Sequence, residues 1–171
     1  MRGAGLRALI QSVEKVVLPQ RGLAWRTERG AVGVWTPEQS LLVVSLRGHG
    51  ESRFAVPILD AYEGLAKTGP IHLFFDAEGL TNYDSSLRTE LTARFMPDRT
   101  RSASFYVLVR SRLVAMGVSV ANLALGGVVK TLADRALFKA KLDACVFEHR
   151  VVGFSSNVLD GVQDRSAQAR R

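Results

Sequence analysis

The sequence has little cysteine and little histidine. Its 171 residues include one cysteine, Cys145, and three histidines. A single cysteine excludes an intrachain disulfide framework and a cysteine-based zinc site, and it fits a reducing compartment. The fifteen glycines and five prolines are ordinary numbers for this length. Collagen-like and proline-rich low-complexity chains are therefore excluded as well.

Long apolar runs are also missing. The longest one, residues 113–129, is interrupted by Ser119 and Asn122, and it falls short of the ~20 apolar residues that span a bilayer. Residues 1–20 have charged residues within their apolar pattern and no small-residue cleavage site, so they do not resemble a signal peptide. The sequence thus predicts a cytoplasmic protein without a membrane span.

The charge is basic, with a net value of +7 and a pI of about 10.2. Such a balance favours an anionic partner, but no long block of Lys and Arg and no RNA-binding motif occurs, so we expect no nucleic-acid partner. A local excess of arginine could receive an acidic protein surface or phospholipid head groups, and solvated surface arginines are the alternative. This predicted basic patch consists of Arg94, Arg99, Arg101, Arg110 and Arg112.

The length fits one domain with extensions. Apolar residues three and four apart over residues 6–18 predict an amphipathic helix within an N-terminal extension, residues 1–20, which could pack on its own domain or on a partner. The domain is predicted over residues 23–148. Residues 149–171 lose apolar periodicity and gain polar side chains, so we expect a flexible tail.

Within the domain the pattern predicts strands and helices in the order β-β-β-α-β-α-β-α-β-α. Leu41–Leu46 is a nearly continuous apolar run, typical of a strand that is buried on both faces. Strand–helix alternation favours an α/β domain with a mixed sheet of about four to six strands and about four helices. Helices are predicted over about 53–67, 84–96, 113–125 and from 134 to about 147.

The most informative stretch follows the predicted strand Ile71–Phe75. An acid, Asp76, ends that strand, a loop follows, and Asp84-Ser85-Ser86 opens a helix. Free N–H groups and the helix dipole favour negative charge at such a point, so a phosphate on either serine would be tolerated. The alternative is plain capping of the helix by Asp84 or Ser85.

This pattern resembles the STAS domain, the sulphate-transporter and anti-sigma-factor-antagonist domain. The residues that carry the resemblance are FDAEGLT at 75–81 and YDSS at 83–86, and the order of elements matches over 31–147. The resemblance is closest to the bacterial SpoIIAA-like branch, which is also linked to CRAL-TRIO-type lipid-transfer proteins. It implies a sheet with helices mainly on one face.

The resemblance also implies signalling by protein–protein binding, with a kinase-like anti-sigma factor or another regulator as partner. The family's phosphorylated serine corresponds to Ser86, with Ser85 beside it. The sequence departs from the family at Leu87, where the motif has glycine. The surface expected to meet the partner comprises Asp76, Glu78, Tyr83, Asp84 and Arg88.

A second hypothesis is a carrier or sensor of a small apolar ligand or lipid, held beneath the helices. No acid–base or nucleophile set is apparent, so we expect no enzyme, no catalytic residue and no cofactor. His49, His72 and His149 are far apart in the sequence and are predicted to be structural, which leaves no metal site. Cys145 is expected to pack in the core. A homo-oligomer remains open.

Overall fold

The computed structural model describes residues 13–65 and 69–162, which form one seven-stranded sheet and four α-helices. The strands are β1 (Glu14–Leu18), β2 (Gly22–Arg26), β3 (Gly30–Glu38), β4 (Leu41–Gly50), β5 (Ile71–Tyr83), β6 (Ser102–Val109) and β7 (Lys130–Leu132). The helices are α1 (Ala55–Leu65), α2 (Ser85–Phe95), α3 (Arg112–Ala124) and α4 (Arg135–Glu148).

The strands lie side by side in chain order, β1 to β7. The first four pair antiparallel, and β4 to β7 pair parallel. Parallel neighbours need crossover connections, which α1, α2 and α3 supply. The carboxyl ends of β4 to β7 and the amino ends of the four helices therefore meet at one edge of the sheet, which we call the carboxyl edge.

Apolar side chains form one layer on each face of the sheet. On β5, Leu73 and Phe75 belong to the layer with α1, α2 and α3, whereas Phe74 belongs to the layer with α4. This is the period-2 alternation of a strand that is buried on both faces. The mixed α/β architecture is confirmed, and three of the four helices share a face. The fourth helix, α4, covers the other face.

The count of about four to six strands is wrong, and one reason is β1. Residues 14–18, predicted as the end of an amphipathic helix, pair antiparallel with β2. Two of them, Val16 and Val17, are β-branched and favour a strand, and Leu18 is buried. Residues 6–12 of the predicted helix lie outside the described residues.

The predicted loop after Phe75 is also wrong, because β5 continues to Tyr83. Two register shifts between β4 and β5 allow the pairing to run on as far as Gly50 opposite Tyr83. The backbone of residues 76–83 is thereby hydrogen-bonded along β4 instead of being free to form a loop.

The prediction of a flexible tail from residue 149 is wrong for the part that the structure describes. Residues 151–162 pack on the α4 face of the sheet and include a 3₁₀ helix, Ser156–Gly161. A Cβ on Gly33 would lie 2.8 Å from Val162 Cγ2, so this segment closely approaches β3. Its buried apolar side chains are Phe154, Val158, Leu159 and Val162.

Candidate functional site

Asp84 joins β4, β5 and the start of α1 at the carboxyl edge. Its Oδ1 atom lies 2.8 Å from His49 Nε2, and its Oδ2 atom accepts a hydrogen bond of 2.9 Å from the Ser52 N–H. The hydrogen bonds from His49 and Ser52 hold the pKa of Asp84 below its ordinary value. Both oxygens are engaged, and the side chain does not cap α2. The alternative of capping by Asp84 is therefore wrong.

The lowered pKa of Asp84 predicts a loss of stability in acid. A depressed carboxyl pKa adds stability above the unfolded-state value, about 3.9, and that stability is lost as the pH falls through the folded-state value. We expect Asp84→Asn to destabilise the protein at neutral pH and this difference to shrink below about pH 4. Urea unfolding across a pH series measures it.

The matched control is Asp60→Asn, which removes an exposed carboxylate from α1. The difference in the free energy of unfolding between Asp60→Asn and the wild type should not shrink below about pH 4 in the way expected for Asp84→Asn. A difference between wild type and Asp84→Asn that stays constant from neutral pH to about pH 3 would contradict the linkage.

Ser85 and Ser86 are exposed in the first turn of α2. The Asp84 side chain does not cap this turn, and the Leu87 N–H donates to the Asp84 carbonyl oxygen at 3.0 Å, which leaves the N–H groups of the two serines beside their hydroxyls. Leu87 is buried, and a Cβ on Gly50 would lie 2.9 Å from its Cδ2 atom. The residue that departs from the family motif therefore points into the protein and leaves the hydroxyl of Ser86 accessible.

Asp76 lies on the opposite face of the sheet from α2, and its side chain is fully buried. Its Oδ2 atom accepts hydrogen bonds from Arg47 Nη2 at 2.6 Å and from Arg135 Nη1 at 2.9 Å. Arg135 Nη1 also contacts Glu78 Oε2 at 2.9 Å. The prediction that Asp76 meets a partner is wrong, because its carboxylate is enclosed and paired with two arginines.

This ion cluster extends to the carboxyl-terminal segment. Arg135 Nη2 and Lys139 Nζ both donate to Asp160, at 2.7 and 3.0 Å. Beside it lies a polar cleft of about 380 Å³, whose lining includes Arg47, Glu78 and Arg110. The cluster binds β4, β5, α4 and residues 151–162 together, which is a structural role.

Tyr83 and Arg88 lie on the face covered by α2 and α3. A Cβ on Gly117 would come within 2.0 Å of the Tyr83 hydroxyl, so only glycine allows this close packing against α3. Arg88 lines the apolar cavity between α2 and α3. The end of β5, just before α2, therefore packs against the middle of α3.

The five arginines of the predicted basic patch do not form one patch. Three lie near the end of α2 and two lie beyond the other end of β6, whose eight residues span about 26 Å. Arg94 pairs with Glu63, and Arg101 Nη1 lies 3.7 Å from Asp98 Oδ1. The first group is Arg94, Arg99 and Arg101; the second is Arg110 and Arg112. Closeness in sequence is misleading here because an extended strand separates the groups.

An apolar stripe faces outward along α3. Its residues follow one another at spacings of three, four and three, so they share one side of the helix. Large fractions of their surfaces are exposed: Leu113 49%, Met116 68%, Val120 53% and Leu123 82%. The sequence predicts α3 as an apolar helix but does not show which side is covered.

An apolar cavity of about 110 Å³ lies between the sheet and helices α2 and α3. Its lining includes Phe75, Leu91, Phe105, Val118 and Ala121. Two polar residues of α3, Ser119 and Asn122, do not line this cavity. Their side chains form hydrogen bonds with neighbouring backbone, at Ala115 and Val129.

Sequence reasoning missed one cluster. The rings of His72 on β5 and His149 have centroids 4.5 Å apart, and Cys145 lies beside them. His72 and His149 are far apart in the sequence, but α4 folds back over β5 and brings them together. The four-residue spacing of Cys145 and His149 was the available signal.

Few known proteins are similar to this chain. No family model matches the chain, and no curated protein is similar to it. Among solved structures, the chain is similar to an uncharacterized protein from the DUF3478 family with a SpoIIAA-like fold, from Shewanella loihica PV-4. The two are 17% identical with a TM-score of 0.47, and the match covers 68% of this chain and 93% of the other.

None of the helices within residues 13–65 and 69–162 is long and apolar enough to cross a membrane.

Proposed function

We propose that the protein is a non-catalytic regulatory module that binds another protein through the α2–α3 surface. We define this surface as the first turn of α2, with Ser85 and Ser86, together with the exposed apolar stripe of α3. The observation that carries the proposal is that stripe, since contiguous exposed apolar side chains are typical of interaction sites. The sequence resemblance favours a kinase-like anti-sigma factor or related regulator in a bacterial cytoplasm.

The two parts of the surface support different aspects of binding. The stripe supplies apolar area that a partner can bury. Tyr83, two residues before Ser85, packs on Gly117 in the middle of α3, which brings the start of α2 near that helix. A phosphate on Ser86 would add about −1.5 to −2 charges next to the uncapped turn. Its expected effect on partner affinity is the ~5–150-fold typical of a regulatory coupling.

The binding surface can be tested by site-specific photo-crosslinking in the native cells. A photoreactive residue at Met116 is expected to form an adduct with one discrete protein, identified by mass spectrometry. The matched control carries the same residue at Ala144, which is exposed on α4 across the sheet. Adducts from Ala144 alone, or none from Met116, would contradict the proposal, and a self-adduct from Met116 would mean that a second copy covers the surface.

Phosphorylation at Ser86 gives a second prediction. Incubation with cellular kinases and ATP is expected to label the wild type and Ser85→Ala but not Ser86→Ala, because the resemblance assigns the acceptor to the second serine. Phosphopeptide mass spectrometry locates the label. Equal labelling of wild type and Ser86→Ala would remove Ser86 from the mechanism and leave binding through the stripe to stand alone.

A second candidate function is supported by the apolar cavity beneath α2 and α3. We propose, as the alternative, that it holds a small apolar molecule, since an apolar cavity of about 110 Å³ approaches the size that binds benzene in an engineered protein core. Native mass spectrometry of the purified protein would then show a bound mass. Ala121→Leu, at a cavity-lining position, should abolish it without affecting a crosslink from Met116.

A further inference from the structure

Three side chains with metal-binding atoms meet between β5 and the last turn of α4. The ligand atoms of His72, Cys145 and His149 all lie within 4.8 Å of one another. Cys145 and His149 are four residues apart on α4, so they share one side of the helix. His72 approaches from β5, and its ring meets the ring of His149 edge-on.

The spacing of these atoms is close to that of a metal site. In tetrahedral zinc sites, with Zn–S of about 2.3 Å and Zn–N of about 2.0 Å, the ligand atoms lie about 3.5 Å apart. Cys145 Sγ and His149 Nδ1 are 3.7 Å apart, and this nitrogen also lies 2.9 Å from the Cys145 carbonyl oxygen, a contact that it gives up when it binds an ion. The other separations are at most 4.8 Å, about 1.3 Å above the tetrahedral value. Small side-chain rotations can close such gaps.

The surroundings of the cluster are also suited to a metal. Ser104 Oγ lies 2.8 Å from His72 Nδ1, which leaves the Nε2 atom as the nitrogen available to an ion. Such outer hydrogen bonds orient metal-binding histidines. His149 is exposed, which gives an ion a path to the buried Cys145.

Local charge favours a cation at this point. The negative charge of Glu148 acts on both His72 and Cys145. An ion would pair with this charge and with the thiolate that Cys145 forms on binding.

We propose that His72, Cys145 and His149 form a zinc site. The Cys145 thiolate and one nitrogen from each imidazole bind the ion, and the fourth position is open to solvent beside Glu148. On binding, the S–H bond breaks, the sulfur–zinc bond forms and the proton passes to solvent. The ion then links the last turn of α4 to β5. A mixed ligand set of this kind needs only one cysteine, which a cysteine count alone does not reveal.

Cobalt and zinc titrations of the full chain, stripped with EDTA under reducing conditions, test this site. We expect one equivalent of Co²⁺ to produce a thiolate-to-metal charge-transfer band and the visible bands of tetrahedral cobalt, both displaced by Zn²⁺. Cys145→Ser should abolish the charge-transfer band. His149→Gln should weaken binding more than about a hundredfold, whereas Ser104→Ala, which removes only the outer hydrogen bond, should cost about 10–100-fold.

The matched control is His49→Gln, which removes a histidine outside the cluster and should leave cobalt binding unchanged. Zinc should also raise the melting temperature of the wild type and of His49→Gln but not of His149→Gln, with folding checked by circular dichroism. Absence of the charge-transfer band in the wild type, or equal binding by Cys145→Ser, would overturn the proposal. Neither result would bear on binding through the α2–α3 surface.

Discussion

Asp76→Asn is expected to lower the free energy of unfolding by about 3–5 kcal/mol, the usual cost of removing one partner from a buried ion pair. The substitution keeps the shape of the side chain but removes its charge. Arg47 and Arg135 would then face each other across a neutral amide, and the Arg47 side chain is only 15% exposed. Urea unfolding at neutral pH measures the change.

A matched control uses the same arginine at the surface. Asp160 also pairs with Arg135, at 2.7 Å, but its side chain is 56% exposed. Asp160→Asn is therefore expected to cost no more than about 1 kcal/mol, as for surface ion pairs. If Asp76→Asn costs as little as Asp160→Asn, the buried cluster does not hold the fold together as described.

A double-mutant cycle separates the pair from its surroundings. Arg47→Met combined with Asp76→Leu replaces both charges by apolar side chains of similar volume, a change that is often close to neutral in buried pairs. The double variant should be less destabilised than the sum of the single variants predicts. If the losses of stability in the two single variants simply add up in the double variant, the Asp76 carboxylate is stabilised chiefly by Arg135 and not by Arg47.

The sequence predicted best those elements whose signal is local. The periodicity of α3 places both of its ends within one residue of the observed bounds, and the apolar run of β4 places its start at Leu41 but ends four residues before Gly50. The long β5 was not predictable in this way, because its second half is held by irregular pairing with β4. β1 was mistaken for a helix because valines spaced three and four apart also satisfy a short edge strand.

The candidate site was likewise predictable where the sequence signal is local and not where the site depends on packing. The exposed position of Ser85 and Ser86 at a helix start followed from the motif and the flanking apolar pattern. The burial of Asp76 did not, because the strand's alternation fixes which residues share a face but not what covers that face. The meeting of His72 with Cys145 and His149 depends on packing between elements more than 70 residues apart, and the spacing of Cys145 and His149 on α4 reveals only two of the three residues.

Leu159→Ala is expected to destabilise the protein by about 2–5 kcal/mol, although the sequence places this residue in a polar tail. Leu159 is fully buried on the α4 face, and its carbonyl oxygen accepts a hydrogen bond of 3.3 Å from Arg47 Nη2. Ser156, on the same 3₁₀ helix, donates to both carboxylate oxygens of Asp143. The segment is therefore a part of the core, and thermal or urea unfolding measures its contribution.

The control lies in the same segment: Val152 is 96% exposed, so Val152→Ala should change stability by no more than about 0.5 kcal/mol. Ending the chain at Arg150 should be far more severe than either substitution. It removes four buried apolar side chains, each worth about 1.5–3 kcal/mol in transfer free energy, and domains are stable by only about 5–15 kcal/mol. We expect that truncated chain to lose cooperative unfolding. Wild-type stability after truncation would show that the sheet needs no cover beyond α4 on this face.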